Sequence, residues 1–534
     1  MNFLGFKISK INKNKLDSES VILKSDNSLS GGLIVSEPWG VFDGEKTEGE
    51  LGRPINVVAN HVALRMRAYE SDLKSDLVRA ISSKFFKWVV GEGLKLQANP
   101  KRFILEDYGI KNIDFNRLKK QCEERFNLLA FSKEVDFSKM KNLHDLANDC
   151  FSDSFLGGDT LVVLRVSSSG YPTCQVIDGQ EVCSPSIFSE LHKIAEDKGN
   201  RIIKGVEISS SGEHVAYYIK DINREHKRIS AFINSNGFKF RCARLIYGRK
   251  HRINDIRGIS SLSSIVEKID KLDRFSEASV AAAEERANIV YTIEHDKYST
   301  GENPITEKLL KNVGTGSFNG GVKEVEDPYE LGAKTAKHVE RTTNKQAVNL
   351  PVGSKMVSLD SEAEFSYDKF LNAVFDHLCS SLDVPPEVAL QKYSSNYSAS
   401  RAAINGWQHI VKIARDKFAE EFYQPFYELF FYCQTLMDKL EGSMQYISII
   451  KDNDFLIRDS FTNARFVGVN MPHIDPLKEV KAIRELLGDK LKGVSLISLD
   501  QATEQAGQGD WEENYQKLEN EKNHNKLNET NGAD

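Results

Sequence analysis

Seven cysteines stand singly in this chain of 534 residues, at 122, 150, 174, 183, 242, 379 and 433, and no Cys-x-x-Cys pair occurs. A zinc ribbon and a thioredoxin-type redox site are therefore excluded, and the thiols read as buried groups in a reducing compartment. No Gly-x-x-x-x-Gly-Lys-Ser/Thr is present, which removes a phosphate-cradling ATPase. The run Gly314-Thr315-Gly316-Ser317-Phe318-Asn319-Gly320 misses dinucleotide-binding spacing, has no strong strand before it, and reads as a flexible loop. The twelve histidines include no His-Glu-x-x-His and no close pair. No run approaches the ~20 apolar residues needed to span a bilayer. The opening Met1-Asn2-Phe3-Leu4-Gly5-Phe6-Lys7 lacks the apolar core of a secretion signal, so a cytosolic, non-membrane chain is expected. A basic excess is missing too: the formal net charge is −6. That argues against a dedicated nucleic-acid binder, though not against a protein past which DNA slides, since tight phosphate contacts would retard passage.

What is present describes a globular protein: 40% hydrophobic and 28% charged residues, with length enough for about two to four structural units. Residues 1–50 are polar and irregular. From Asn60 to Val90 apolar residues recur at helical spacing (Val62, Met66, Tyr69, Leu73, Leu77, Ile81, Phe85, Val89), and Gly91 and Gly93 close the pattern as left-handed caps. A second helix is expected around Leu143–Phe155, leading through Gly157-Gly158-Asp159 into a β-branched strand from Thr160 to Val166. Further strands are expected at Thr173–Ile177, Ile202–Ile208 and His214–Ile219, the last two joined by Ser209-Ser210-Ser211-Gly212, making 140–255 an α+β region.

A long helix is expected from Arg257-Gly258-Ile259-Ser260 to near Val290, about 45–50 Å in length. Leu262, Ile265, Ile269 and Leu272 line one face, continued by Ser276, Ser279 and Ala283, small side chains that suit either plain helix propensity or close approach of neighbouring copies. Residues 295–365 are rich in Gly, Lys, Asn and Thr, with little periodicity. An amphipathic helix follows (Phe370, Leu371, Val374, Phe375, Leu378, Leu382). A third long helix carries Trp407, Ile410, Val411, Ala414, Phe418, Phe422, Phe426 and Leu429 on one face, with Pro425 expected to kink it. Asp475 is placed to cap a helix that Pro476 begins. The tail from Glu512, with almost nothing apolar, is expected to be disordered or a frayed helix.

Between the second and third of these helices lies the most informative stretch. Leu382-Asp383-Val384-Pro385-Pro386-Glu387 stops one helix, because neither proline donates a backbone hydrogen bond and each disfavours a helical predecessor. Tyr393-Ser394-Ser395-Asn396-Tyr397-Ser398-Ala399-Ser400-Arg401-Ala402 then supplies caps for the next. This pair of segments resembles the core of the lambda-family bacteriophage portal proteins. Other segments match the same family in order: Arg65-x-Arg67; Val89-Val90-Gly91-Glu92-Gly93-Leu94-Lys95-Leu96-Gln97; Gln175-Val176-Ile177-Asp178; Gly205-Val206-Glu207 with Ala216-Tyr217-Tyr218-Ile219; Gly353-Ser354-Lys355-Met356; and Ile474-Asp475-Pro476-Leu477-Lys478-Glu479. The family's Arg-Asn-Asn-Pro insert is absent, replaced by Glu70-Ser71-Asp72-Leu73-Lys74.

The resemblance implies a mainly α, α+β portal fold. An irregular arm would occupy 1–50, a wing 51–255, a stem helix 256–293, a clip 294–365 and a second stem helix 366–384. A tunnel loop would occupy 385–400, a long wing helix 401–440, a wing or crown region 441–511 and a disordered tail 512–534. It implies a homo-oligomeric ring, dodecameric in assembled particles, at one capsid vertex of the virion and in the host cytoplasm during assembly. Its partners would be double-stranded DNA passed non-specifically, the terminase large subunit, the major capsid or scaffold protein and a head-tail adaptor. No cofactor, metal or membrane is called for. Channel-wall candidates are Gln391, Lys392, Tyr393, Ser394, Ser395, Asn396, Tyr397, Ser398, Ser400 and Arg401, polar and mostly uncharged. The alternatives are a metal-dependent nuclease using Asp145, Asp149, Asp153 and Asp159, or another self-assembling phage protein such as an adaptor or capsid component.

Overall fold

The computed structural model describes residues 61–220, 225–235, 238–250, 253, 255–293, 367–392, 397–452, 454–469, 476–488 and 495–507. It also describes strands at 33–35, 57–59, 339–342 and 345–349, and helical residues at 511, 514–519 and 521–522. The chain is mainly α with small, largely antiparallel sheets. It divides into two compact units, residues 1–266 with 378–534, and residues 267–377.

In the larger unit, strands Asp159–Val166, Pro172–Asp178 and Ala243–Tyr247 form one antiparallel sheet with the first at its centre. Leu161 and Val163 point to the same side, as period-two pleating requires. They share a core with Ile177, Ala243 and Leu245, and with Val206, Tyr217 and Ile229 of a second sheet. That second sheet runs Arg201–Ile203, Val206–Ile208, His214–Lys220, His226–Ser230. The single strand expected over Ile202–Ile208 is instead a hairpin. Lys204 and Gly205 take φ of 48° and 83°, the left-handed pair that a two-residue turn demands.

The expected helix from Asn60 to Val90 is two helices, His61–Lys74 and Asp76–Val89, separated at Ser75, whose backbone is extended (φ −97°, ψ 113°). In the second, Ile81, Phe85 and Val89 are buried as the periodicity predicts. In the first the apolar stripe faces outward: Val62, Met66 and Leu73 are exposed, while Leu64, Arg65, Ala68 and Ser71 are buried. A captured arginine, described below, sets that rotation. Gly91 and Gly93 close the second helix at positive φ, and Lys95–Ala98 beyond them pairs antiparallel with Ala464–Val467.

Helix Tyr397–Phe418 runs through a π-helical turn, Ala419–Tyr423, into helix Gln424–Leu436. Here the expected kink at Pro425 takes a specific form. Proline has no N–H to give the carbonyl four residues back, Glu421, and the widened turn spans that position. The extra residue also lets two consecutive aromatics, Phe422 and Tyr423, both enter the core, where Phe422 stacks on Phe418 and Tyr423 stands edge-on to it. Tyr423 Oη meets His144 Nδ1 at 3.1 Å, and Trp407 stands edge-on to Phe85 with centroids 4.8 Å apart.

The long helix expected from Arg257 begins later. Arg257–Ser260 is irregular, Ser261–Ser264 is a 3₁₀ turn and the α-helix is Val266–Asn288. In the smaller unit this helix meets Tyr367–Ser381 through Phe275 and Phe370, whose ring centroids are 4.3 Å apart. Strands Ile289–Ile293, Lys345–Asn349 and Val339–Thr342 form a three-stranded sheet in that order, the first pair parallel. Helix Pro476–Leu487 starts at the expected proline; the cap expected from Asp475 falls outside the described residues.

Candidate functional site

The four aspartates that a nuclease would use are dispersed by the fold. Asp145 completes a capping box with Asn142 at the start of helix Leu143–Gly157, and Asp149 pairs with Lys141 at the surface. Asp153 and Asp159 turn inward, and each is taken by arginine. Arg65 Nη1 donates to Asp153 Oδ1 at 3.2 Å and also to Asp178, while its Nη2 donates to Asp159 Oδ1 at 3.0 Å. Arg257 grips Asp159 with two prongs, Nε to Oδ2 at 2.6 Å and Nη2 to Oδ1 at 2.8 Å. The Gly258 N–H adds a fourth donor to Asp159, at 2.9 Å. Tyr69 and Thr160 hydroxyls donate to Asp153.

The remaining arginine protons go to backbone. Arg257 reaches the carbonyls of Val182 at 2.8 Å and Lys204 at 3.0 Å, and that of Gly179. No side chain fits at Gly179, where a Cβ would lie 2.3 Å from Arg65 Nη2. Burial pushes the Asp153 carboxyl up more than Arg65, Thr160 and Tyr69 pull it down. Burial opposes the Arg257 charge, but the hydrogen bonds and attraction of Asp159 outweigh it and its pKa rises. His61, whose Nδ1 lies 2.8 Å from the Gly258 carbonyl, is drawn down to about 4 by burial and by Lys204. This arrangement neutralises and positions; guanidinium groups occupy the places a cation would take. Among the described residues no group of three or more His, Cys, Asp or Glu side chains is placed to hold a metal.

Sequence reasoning missed this network, although each participant sits in a segment singled out for another reason: Arg65-x-Arg67, Gly157-Gly158-Asp159, Gln175 to Asp178, and Arg257-Gly258. Nothing in one sequence says that residues 88 to 113 positions apart share one guanidinium.

At the second candidate site, Val384 N–H returns to the Cys379 carbonyl at 3.0 Å and Asp383 takes φ of 56°. Pro385 then caps a short helix, Pro386–Leu390, with Pro386 at its first position. Val388 and Ala389 are buried, and Gln391 ends the helix in left-handed conformation. Gln391 and Lys392 are exposed. Tyr393, Ser394, Ser395 and Asn396 lie outside the described residues, and so do the side chains of Tyr397 and Ser398 at the start of the next helix. Ser400 is buried and Arg401 half-buried. Of the seven packing candidates, Leu262, Ile265, Ile269 and Leu272 are buried, Ser276 and Ser279 half-buried, and the Ala283 side chain is outside the described residues. No helix among the described residues is long and apolar enough to cross a membrane.

Fold and site together define a mainly α, α+β protein whose buried charges hold distant segments in place. The model of the phage portal proteins of the lambda family matches residues 53–415. The chain belongs to that family, whose members are structural and not enzymatic. Solved structures are similar at low identity. One is a chain of the neck of the native GTA particle, computed with C12 symmetry. It has 10% identity and a TM-score of 0.31, and the match covers 78% of this chain and 96% of that one. Another is a chain of the virion of the native gene transfer agent particle, with 11% identity, a TM-score of 0.35, and coverage of 85% and 94%. No curated protein matches the chain.

Proposed function

We propose that many copies of this chain close into the ring at the unique capsid vertex, a dodecamer in particles. There the ring nucleates procapsid assembly with the capsid or scaffold protein, docks the terminase large subunit, passes double-stranded DNA in and out, and carries the head-tail adaptor. The observation that carries this reading is the family match across residues 53–415. A ring needs a head-to-tail interface with two different complementary faces on each copy, and passage without sequence readout needs weak, evenly spread contacts.

In this reading the wing is 51–255 with the 401–440 helix. The stem is the pair of helices joined at Phe275 and Phe370, the clip spans 294–365, and 385–400 lies at the channel constriction with Gln391 to Ser400 as its low-friction wall. The segregation of residues 267–377 as a separate compact unit supports assigning stem and clip there. The buried arginine–aspartate network supports a rigid footing for the segment that leads into the stem helix. Negative-stain microscopy of the purified protein, with mass measurement in solution, tests the proposal. Rings with an axial hole are expected; a protein that remains a single subunit at every concentration and salt would overturn it.

A further inference from the structure

The formal net charge of −6 conceals an uneven distribution. Residues 201–252 hold twelve Lys or Arg and four Asp or Glu, a local charge of +8, so the rest of the chain is net acidic. Of those acids, Glu207 is buried and committed inward, to Tyr218, Asn200 and Arg228, and Glu225 precedes a separate strand, His226–Ser230. Cations gather instead on a two-stranded ribbon, Phe232–Ser235 paired with Phe238–Arg241. The register sets Phe232 opposite Arg241 and Asn234 opposite Lys239, so these four share one face, and Ile233 and Phe240 take the other. On the shared face the Lys239 ammonium lies 3.9 Å from the Phe232 ring centre and the Arg241 guanidinium 4.5 Å. Glu213 meets both cations, at 3.4 and 3.5 Å, and one carboxylate cannot neutralise two. The patch continues through exposed Arg249 and Lys250, the latter lying over the Tyr247 ring at 4.0 Å. His214, whose Nδ1 is 3.3 Å from Tyr217 Oη, sits between the two parts: burial, Lys250 and Arg241 together draw it down to about 4.

We infer that this basic face holds the phosphate backbone of duplex DNA, without reading its sequence, as a contact surface separate from the channel loop. Charge decides the sign of the ligand, because cations concentrated on one face form the electrostatic footprint of a polyanion. Composition decides its kind. A protein partner needs an apolar anchor at the centre of its contact, and this face offers none. Its one ring, Phe232, is half-buried beneath two cations, Phe240 is buried, and Ile233 lies on the opposite face. Lysine and arginine heads already laid over rings are held in place before the ligand arrives, which lowers the ordering cost of each phosphate contact. The inference goes beyond the ring reading, since it uses no residue of 385–400 and every subunit carries the whole surface.

The test is fluorescence anisotropy of a labelled duplex of mixed sequence, titrated with the full chain from one size fraction between about 50 and 200 mM salt. K239Q/K250Q should weaken binding roughly tenfold at the lower salt and flatten the slope of log affinity against log salt by about two, one for each lysine. K239R/K250R should restore both, which separates charge from any loss of fold. No binding by the wild type, or wild-type affinity and slope in K239Q/K250Q, overturns the inference. So does binding that is lost only in S394D/S395D/S398D, which would put the contact at the channel loop and leave the proposed function standing. Poly-glutamate bound more tightly than the duplex, and released by K239Q/K250Q, would reassign the face to an acidic protein segment. A chain that binds DNA through these lysines but never forms rings would sink the ring reading and leave this inference intact.

Discussion

Arg257 and Asp159, 98 positions apart, form a two-pronged ion pair in which the arginine side chain is 8% exposed and the aspartate 1%. The same arginine hydrogen-bonds the carbonyls of Gly179, Val182 and Lys204. One side chain therefore ties the turn after one sheet and the hairpin of the other to the residues preceding helix Val266–Asn288. Taking both charges out of water is expensive, and completeness of pairing decides whether the arrangement holds.

Asp159→Asn keeps the shape but leaves Arg65 and Arg257 short of countercharge. Loss of one partner of a buried pair costs about 3–5 kcal/mol, so the urea midpoint should fall markedly. Arg257→Lys should also destabilise, because an ammonium cannot reproduce the fork on Asp159 together with three carbonyl contacts. Denaturation curves indistinguishable from wild type for both variants would show that the network bears no load.

His61 and His214 are both pulled to about 4, His61 by burial and Lys204, His214 by burial, Lys250 and Arg241. In the unfolded chain each titrates near the ordinary 6.5, so between 6.5 and 4 the unfolded state binds protons that the folded state refuses. Stability from these groups is complete above pH 6.5 and is lost as pH falls through 4. For His61 the loss is up to about 3 kcal/mol. Buried Glu421 and Glu428, pushed upward by burial, act in the opposite sense, so a comparison with His61→Gln isolates the term. The stability difference between wild type and this variant should shrink from pH 7 to pH 4; a constant gap would contradict the assignment.

Local chemistry made much of the fold legible: the strand after Gly157-Gly158, the Ser-Ser-Ser-Gly turn before His214, the helix beginning at Pro476. The errors share a cause. Lys204 carries no sign in its identity that it will adopt φ of 48°, so a hairpin read as one strand. Arg257-Gly258 looked like the opening of a helix because its contacts, at Asp159 and Gly179, lie far away in sequence. The stripe Val62, Met66, Leu73 obeyed helical spacing, yet the helix is rotated to place Arg65 among three aspartates. Periodicity reports which residues share a face, and only the partner decides which face goes inward.

Gly93 belongs to the family-like Val-Val-Gly-x-Gly segment for a steric reason. Its φ is 104°, and a Cβ there would lie 2.1 Å from His144 Nδ1. His144 is itself held between Tyr423 and Phe131, so it has little room to yield. Gly93→Ala should destabilise by about 2–4 kcal/mol through overpacking and backbone strain together. Adding His144→Ala should recover the steric part, leaving the φ penalty. Thermal melts of the single and double variants measure the division; a double variant no better than the sum of its parts would mean that His144 is not the obstacle.

The loop after Gln391 carries a prediction of a different kind, because it concerns passage rather than stability. Ser394, Ser395 and Ser398 are uncharged, and in the proposed ring each would be repeated in every copy around the axis. Replacing all three by aspartate would set a collar of negative charge against DNA phosphates, at separations comparable to the roughly 8 Å screening length of physiological salt. Ring mass should be unchanged, because Val384, Val388 and Trp407 hold the flanking helices through buried contacts that the substitutions leave alone. Genome retention in assembled particles should fall several-fold, and the defect should shrink as salt rises. The matching triple alanine variant should package normally, since the proposed requirement is absence of charge rather than the hydroxyls themselves. Packaging unaffected by the aspartates, in rings of normal mass, would remove these residues from the channel wall.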